Sequence, residues 1–396
     1  YCEEPGAVSL AERKQALREI LPILTFADTQ AKQIRHQRKL PYQSIVTLGI
    51  SHNGFQSLGI SEERMVKDGF FTASQLDRSV SDNFGLYESG RGDLELNYTR
   101  QKEIDLLFLC ANDSEQALRR TVDRLINILG NYSNDLRWFQ EKGQKPNVTG
   151  EKGIFRFLDG VSNAVTEKDL ARIGVKIVDA EKKWLGSFLV FQKIGVNNDY
   201  FEEMVQKVAS EVRLPARNPR HFSRKEFAEA LLLGRFTDGT PIDQIGEIEE
   251  KVNRTDFSFA ENAICPYTAH VRAANLRKWS DGAADQQYAR IIRRGTVFKR
   301  DGEGQFRKGL LFISLQKTLT QFRLLNGSMD KKDVLFYRGE TAGDEVSIPQ
   351  PWAGASAPMI KVERAGDRLS RLLGGENFFL PNKIYLKALL TEDGVA

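Results

Sequence analysis

The feature that most restricts the fold is an alternation of two hydrophobic periods along the chain. Gln43 to Ser51 reads QSIVTLGIS, an apolar run of strand length, and a short helical stretch from Asn53 to Leu58 follows it. Asp105 to Ala111, DLLFLCA, is a second buried strand. From Asp113 to Leu129 the period changes: Ala117, Leu118, Val122, Leu125, Ile126 and Leu129 line one helical face, and Gly130 is placed to stop it. A similar succession restarts with the strand WLGSFLVFQKI, Trp184 to Ile194, and a helix from Asp199 to Val212. Ser223 and Glu226 form a capping box for a helix through Leu233. Strand GLLFIS, a helix from Leu315 to Leu325 and final strands around Asn377 to Leu389 complete the second pass. Ahead of both lies a helical stretch from Ser9 toward His36, with Ser9 as its cap and Pro22 as a break.

This order predicts an α+β chain of two ferredoxin-like domains, antiparallel sheets covered by helices, divided as residues 1–183 and 184–396. No Gly/Ser-rich linker separates the halves, so a substantial shared interface is expected, and cofactor pockets tend to lie at such interfaces.

Composition narrows the function classes. With 396 residues and 41% hydrophobic side chains the chain has ample material for cores. Its 57 basic and 53 acidic residues are balanced and dispersed, which argues against a nucleic-acid partner. Three cysteines in so long a chain do not staple a fold, and they favour a cytoplasmic over a secreted home. Asn-x-Ser/Thr sites at Asn97, Asn112, Asn131, Asn147, Asn253 and Asn326 would matter only on secretion. No apolar run nears the ~18 residues of a membrane span, so no membrane partner is expected. The N-terminus lacks a signal-peptide pattern, although a chain starting at Tyr1 is open to having lost one.

The four histidines and three cysteines show no zinc spacing. One histidine stands apart. His270 lies in NAICPYTAHVRAANLR, Asn262 to Arg277, among apolar residues with no carboxylate within five positions. Such an imidazole either hydrogen-bonds a backbone group or ligates a metal, and taken alone it reads as a core or turn histidine.

The string CPYTAHVRAANLR resembles the C-P-F-x-A-H-x-R-x-x-N-x-R segment of the dye-decolorizing peroxidases. RFLDGVSN at Arg156 to Asn163, RIIRRGTVF at Arg290 to Phe298 and KGLLFISLQ at Lys308 to Gln316 resemble the same family in the same order. The resemblance implies a peroxidase carrying haem b in a pocket of the C-terminal half that faces the domain interface. It implies hydrogen peroxide and a bulky aromatic reducing substrate, of phenolic or anthraquinone type, as partners. A homo-oligomer stays open.

Carried over residue by residue, the resemblance makes His270 the iron ligand and Asp159 the distal acid. It makes Arg293 the distal arginine, with Arg272, Leu310 and Phe312 also at the cofactor. Peroxide must lose a proton from one oxygen and regain it on the other, which suits a positioned carboxyl group. A carboxyl titrating near ~4 implies activity rising below about pH 6. A guanidinium stays charged and stabilises negative charge developing as the O–O bond breaks. Arg294 is the runner-up to Arg293, and since neighbours on a strand point to opposite faces only one of the pair should see the cofactor. Leu310 and Phe312 share a strand face, which reads equally as core; in the family such a pair limits water on the distal side. Arg156 stands where the family has a glycine and is placed to reach a propionate. Trp279, Tyr288, Tyr337 and Trp352 are candidates for passing electrons from bulky dyes.

A ligating histidine needs an acceptor on its other nitrogen. The family commonly supplies a carboxylate from the helix after the G-L-L-F strand, yet LQKTLTQFRLLN contains no acid. Gln316, Gln321, a backbone carbonyl or an acid from elsewhere must then serve, and a weaker acceptor would make ferric iron easier to reduce. Two readings compete: a haem-binding or haem-processing protein without turnover, and a nucleic-acid platform, for which no aromatic-rich RNA-binding string is present.

Overall fold

The computed structural model describes residues 8–26, 44–61, 65, 104–132, 137–144, 154, 155, 157, 177, 178, 184–216, 218, 220–244, 264–274, 291–300, 306–336, 344–353 and 357–391. Helix α1 (Leu10–Ile20) begins where Ser9 and Glu12 cap each other: the Ser9 hydroxyl oxygen accepts the Glu12 N–H, and the Glu12 carboxylate accepts the Ser9 N–H at 2.8 Å. Strand β1 (Ile45–Ile50), helix α2 (His52–Ser57), strand β2 (Leu106–Ala111) and helix α3 (Glu115–Gly130) follow. Their bounds lie close to the hydrophobic periods that predict them.

After the short β3 (Ile177–Val178), the second succession contains β4 (Trp184–Val196), α4 (Asn198–Glu211), α5 (Arg224–Leu233) and the short α6 (His270–Ala274). Then come β5 (Ile292–Arg293), β6 (Thr296–Lys299), β7 (Lys308–Gln316), α7 (Leu319–Lys332), β8 (Glu345–Ile348), β9 (Ile360–Glu363), β10 (Ser370–Pro381) and α8 (Lys383–Leu390). Two expectations need correcting. The helix after β7 starts at Leu319 rather than Leu315, because Leu315 and Gln316 are held in the ladder opposite Leu189 and Phe188. It also runs past Gly327, which meets open space, to Lys332. Residues 383–390, expected as strand, are helical: the Asn382 side chain accepts the Tyr385 N–H at 2.7 Å, and Leu386, Leu389 and Leu390 are buried along one face.

The main sheet has the order β2-β1-β10-β4-β7-β5, with β3 also paired to β4 and β6 to β7. All the registered pairs in it are antiparallel, and the whole fits the α+β, ferredoxin-like class expected. β10 lies between β1 of the first half and β4 of the second. Because side chains alternate along a strand, the two faces carry different cores. Leu189, Phe191, Leu311 and Phe378 pack together on one face. On the other, Phe188, Val190 and Phe379 pack with α1, β1, α2 and α8. Val196, toward the far end of β4, packs instead with α4, α5 and the β8–β9 hairpin. The stretch of sheet between these two cores carries Gln192, Phe312 and Ser314, and it is the wall on which the candidate site is built. Gly309 makes the approach of β7 to β4 possible, since a Cβ there would meet the Ile194 carbonyl oxygen at 2.0 Å. Among the described residues no helix is long and apolar enough to cross a membrane.

Candidate active site

Helix α5 ends in Gly234, whose φ of 94° is a left-handed cap; a Cβ there would press on Val271 at 3.0 Å and Cys265 at 3.2 Å. That close approach seats the Cys265–Ala274 segment against the turn that follows α5. Three further bonds fix it. The Asp243 carboxylate accepts the Cys265 N–H at 2.8 Å, the Arg272 guanidinium donates to the Cys265 carbonyl, and the Val334 N–H donates to the Thr268 carbonyl at 2.9 Å. Arg272 also lies over the Tyr267 ring at 3.7 Å. Ala269 and Ala273 are fully buried, and these small side chains let α6 pack closely on α7.

His270 is the first residue of α6. Its Nδ1 lies 2.7 Å from Asp333 Oδ2, and Asp333 has no exposed side-chain surface. The other oxygen of that carboxylate accepts the N–H groups of Leu335 at 2.9 Å and Phe336 at 3.4 Å. Asp333 caps the C-terminal end of α7, where its own N–H donates to the Met329 carbonyl. A carboxylate can only accept here, so Nδ1 carries the proton and Nε2 is left with its lone pair. No described residue hydrogen-bonds Nε2. The ring packs edge-on to Phe336 with centroids 4.8 Å apart. The acceptor is therefore an acid just beyond the helix segment LQKTLTQFRLLN, and neither Gln316 nor Gln321 takes that part. The expectation of easily reduced iron loses its basis with it.

Arg293 pairs with Ser314 across β5 and β7, so its side chain shares the face of Ser314, Phe312 and Leu310. Arg294 is exposed and donates to the Arg293 carbonyl at 2.8 Å. Phe312 packs against Phe322 of α7 at 5.9 Å. Helix α7 thus spans the site: near its start it touches the strand with Leu310 and Phe312, and its end holds His270. Arg235, which sequence reasoning missed, is buried just after α5 and donates to the Gly239 carbonyl at 2.8 Å. Burial pushes its guanidinium down to about 10, with the positive charge of Arg293 adding to the effect. The two arginines therefore sit within each other's field.

Asp159 and Arg156 lie outside the described residues, as do Trp279, Tyr288 and Tyr337. Trp352 is half-buried and packs on Phe227 at 5.5 Å. Neither described cysteine is set up as a nucleophile, since burial pushes the Cys110 thiol up to about 11 and Cys265 is buried.

These residues fit a haem. Among the described residues no cluster of three or more His, Cys, Asp or Glu side chains is placed to hold a metal. Among the described residues an iron at His270 would find one protein ligand, which suits a metal that brings further ligands with it, as in a porphyrin. An imidazole with one nitrogen fixed on a carboxylate and the other bare is the donor such an iron takes.

Residues 150–337 match the family model for the C-terminal part of Dyp-type peroxidases. A dye-decolorizing peroxidase of Mycetinis scorodonius is 24% identical over 69% of this chain and 60% of its own length. A multifunctional dye peroxidase of an Amycolatopsis species is 28% identical over 52% of this chain and 49% of its own. The chain thus spans less than two thirds of the curated relatives it matches. Among solved structures, an Anabaena DyP-type peroxidase superposes with a TM-score of 0.76 at 21% identity, covering 96% of this chain and 88% of that one. A dye-decolorizing peroxidase in complex with 2,6-dimethoxyphenol gives 0.75 at 20% identity, covering 97% and 94%. By family model, curated relatives and fold alike, the chain is similar to the DyP-type peroxidases, whose C-terminal region its residues 150–337 match.

Proposed function

We propose that the chain is a haem b peroxidase that reduces hydrogen peroxide and oxidises bulky phenolic or anthraquinone-type compounds one electron at a time. The observation that carries this reading is the His270–Asp333 pair, a half-buried imidazole held at 2.7 Å by a fully buried carboxylate, with no described residue bonded to its outer nitrogen. The iron, when bound, supplies the redox chemistry. The chain's own residues supply the rest. His270 would hold the metal through Nε2, the nitrogen that Asp333 leaves available by bonding Nδ1 and orienting the ring. Arg293 presents a fixed positive charge on the sheet face, where it stabilises negative charge developing on a bound peroxide oxygen. Leu310 and Phe312, on that same face, keep the peroxide side poor in water. Asp159 moves the proton between the two peroxide oxygens, and Arg272 braces the loop that carries the ligand. The division into domains 1–183 and 184–396 and a reducing compartment belong to the same reading, the latter supported by Cys110 and Cys265, neither of which is in a disulfide.

The test is an absorbance spectrum of haem-loaded protein before and after one equivalent of peroxide, followed by addition of an anthraquinone dye. A Soret band that changes with peroxide and dye that bleaches are expected. A Soret band without bleaching would leave only a haem-binding protein. Arg293→Leu should keep the Soret band and slow the peroxide step by about a hundredfold, as loss of a preorganised charge donor does elsewhere.

A further inference from the structure

One strand face near Arg293 carries polar atoms that the fold itself does not use. Ser314 and Gln316 are both fully buried in β7. Ser314 Oγ, Gln316 Oε1 and Gln316 Nε2 have no hydrogen-bond partner. Both residues belong to the face that holds Phe312 and Leu310, because they lie two and four positions beyond Phe312 on the same strand. Ser314 stands directly opposite Arg293 on β5 and opposite Val190 on β4. Gln316 stands opposite Phe188, at the edge of the apolar core of the first half.

An unpaired buried donor or acceptor is costly, and native chains keep one only where something other than packing requires it. Alanine and methionine would fill these two positions without that cost. A hydroxyl and a carboxamide each offer a donor and an acceptor, which matches a small molecule that is both, such as water or hydrogen peroxide. The cation of Arg293 at the end of the row favours the more acidic of those two.

We propose that Ser314 and Gln316 bind hydrogen peroxide beside Arg293 and pass it along the face of β7 to that arginine. This rests on the peroxidase reading above and names how its substrate is held. The peroxide O–H donates to Gln316 Oε1 or Ser314 Oγ, and the Gln316 amide or the serine hydroxyl donates back to a peroxide oxygen. No bond of the peroxide breaks at this stage. Binding satisfies groups that are otherwise desolvated, so the penalty carried by the empty fold becomes selectivity for a small hydroxylic ligand.

The test uses Ser314→Ala, Gln316→Met and the double variant, with Ser314→Thr as the conservative control. On haem-loaded protein the bimolecular constant for hydrogen peroxide should fall about tenfold in the double variant, the size of one or two lost hydrogen bonds, while dye oxidation at saturating peroxide stays unchanged. Ser314→Thr keeps the hydroxyl and should match the parent. On haem-free protein the urea midpoint of the double variant should equal or exceed that of the parent, because desolvated groups without partners have been removed. An unchanged peroxide constant overturns the proposal, including the case in which the row holds only water. A lowered urea midpoint also overturns it, since the two side chains would then be structural. If the parent shows a Soret band and peroxide turnover while the variants match it, only this inference falls. If the parent takes up no haem, the peroxidase reading falls and takes the inference with it.

Discussion

His270→Ala is expected to leave a folded protein that no longer captures haem: the Soret band disappears and peroxide-driven dye oxidation falls to that of haem-free protein. Even the loss of an outer partner to a metal ligand costs about 10–100-fold, so removing the ligand should exceed about a hundredfold. The expectation is specific to this histidine. It pairs one ring nitrogen with a buried carboxylate, and no described residue bonds the other. His221 lies in a left-handed turn, with φ of 51°, and His52 opens α2 in the other half of the chain. Adding free imidazole to the His270→Ala protein should restore part of the band, because the site keeps its acceptor in Asp333. A variant that retained the parent spectrum would place the ligand elsewhere and end the reading built here.

The second large effect concerns Asp333. Asp333→Ala strips the acceptor from His270 Nδ1 and from the N–H groups of Leu335 and Phe336 at once. Leaving buried donors unpaired costs about 1–3 kcal/mol each, and the weak 3.4 Å bond counts little, so a loss on the order of 3 kcal/mol in urea unfolding is expected. Asp333→Asn separates structure from electronics. Its carbonyl oxygen can still accept the two backbone N–H groups, so stability should suffer far less. The negative charge behind the imidazole is gone, however, and His270 becomes a weaker electron donor. The reduction potential of the bound iron should rise by about 60 mV or more, a tenfold shift toward the ferrous state. A potential unchanged in Asp333→Asn would mean that the carboxylate only braces the fold.

Much of this architecture is legible in the sequence because local chemistry and global fold agree. The cap at Ser9 and the capping box at Ser223/Glu226 are present as read, and the strand-length runs at β1, β2, β4 and β7 are strands. Their alternation also placed Arg293 on a face with Leu310 and Phe312 and turned Arg294 away from it. What escaped has particular causes. Asp333 was invisible because the helix was ended near Leu325, ahead of Gly327; tertiary packing carried it another turn and more, which delivered the acid at its cap. Helix α8 reads as a strand until Asn382 is recognised as a cap, since KIYLKALL is apolar at either period. Arg235 gave no local signal, for its importance comes from burial beside a segment that follows some way along the chain.

The position of β10 sets when the main sheet can close. The strand that joins β1 to β4 is made far downstream of both, so the sheet stays in two pieces on the ribosome until residues 370–381 emerge. Pairings between such distant segments are slow to close. Premature cofactor capture would thereby be discouraged: β4, the neighbour of the strand that carries Phe312 and Ser314, gains its β10 flank only once residues 370–381 have been made.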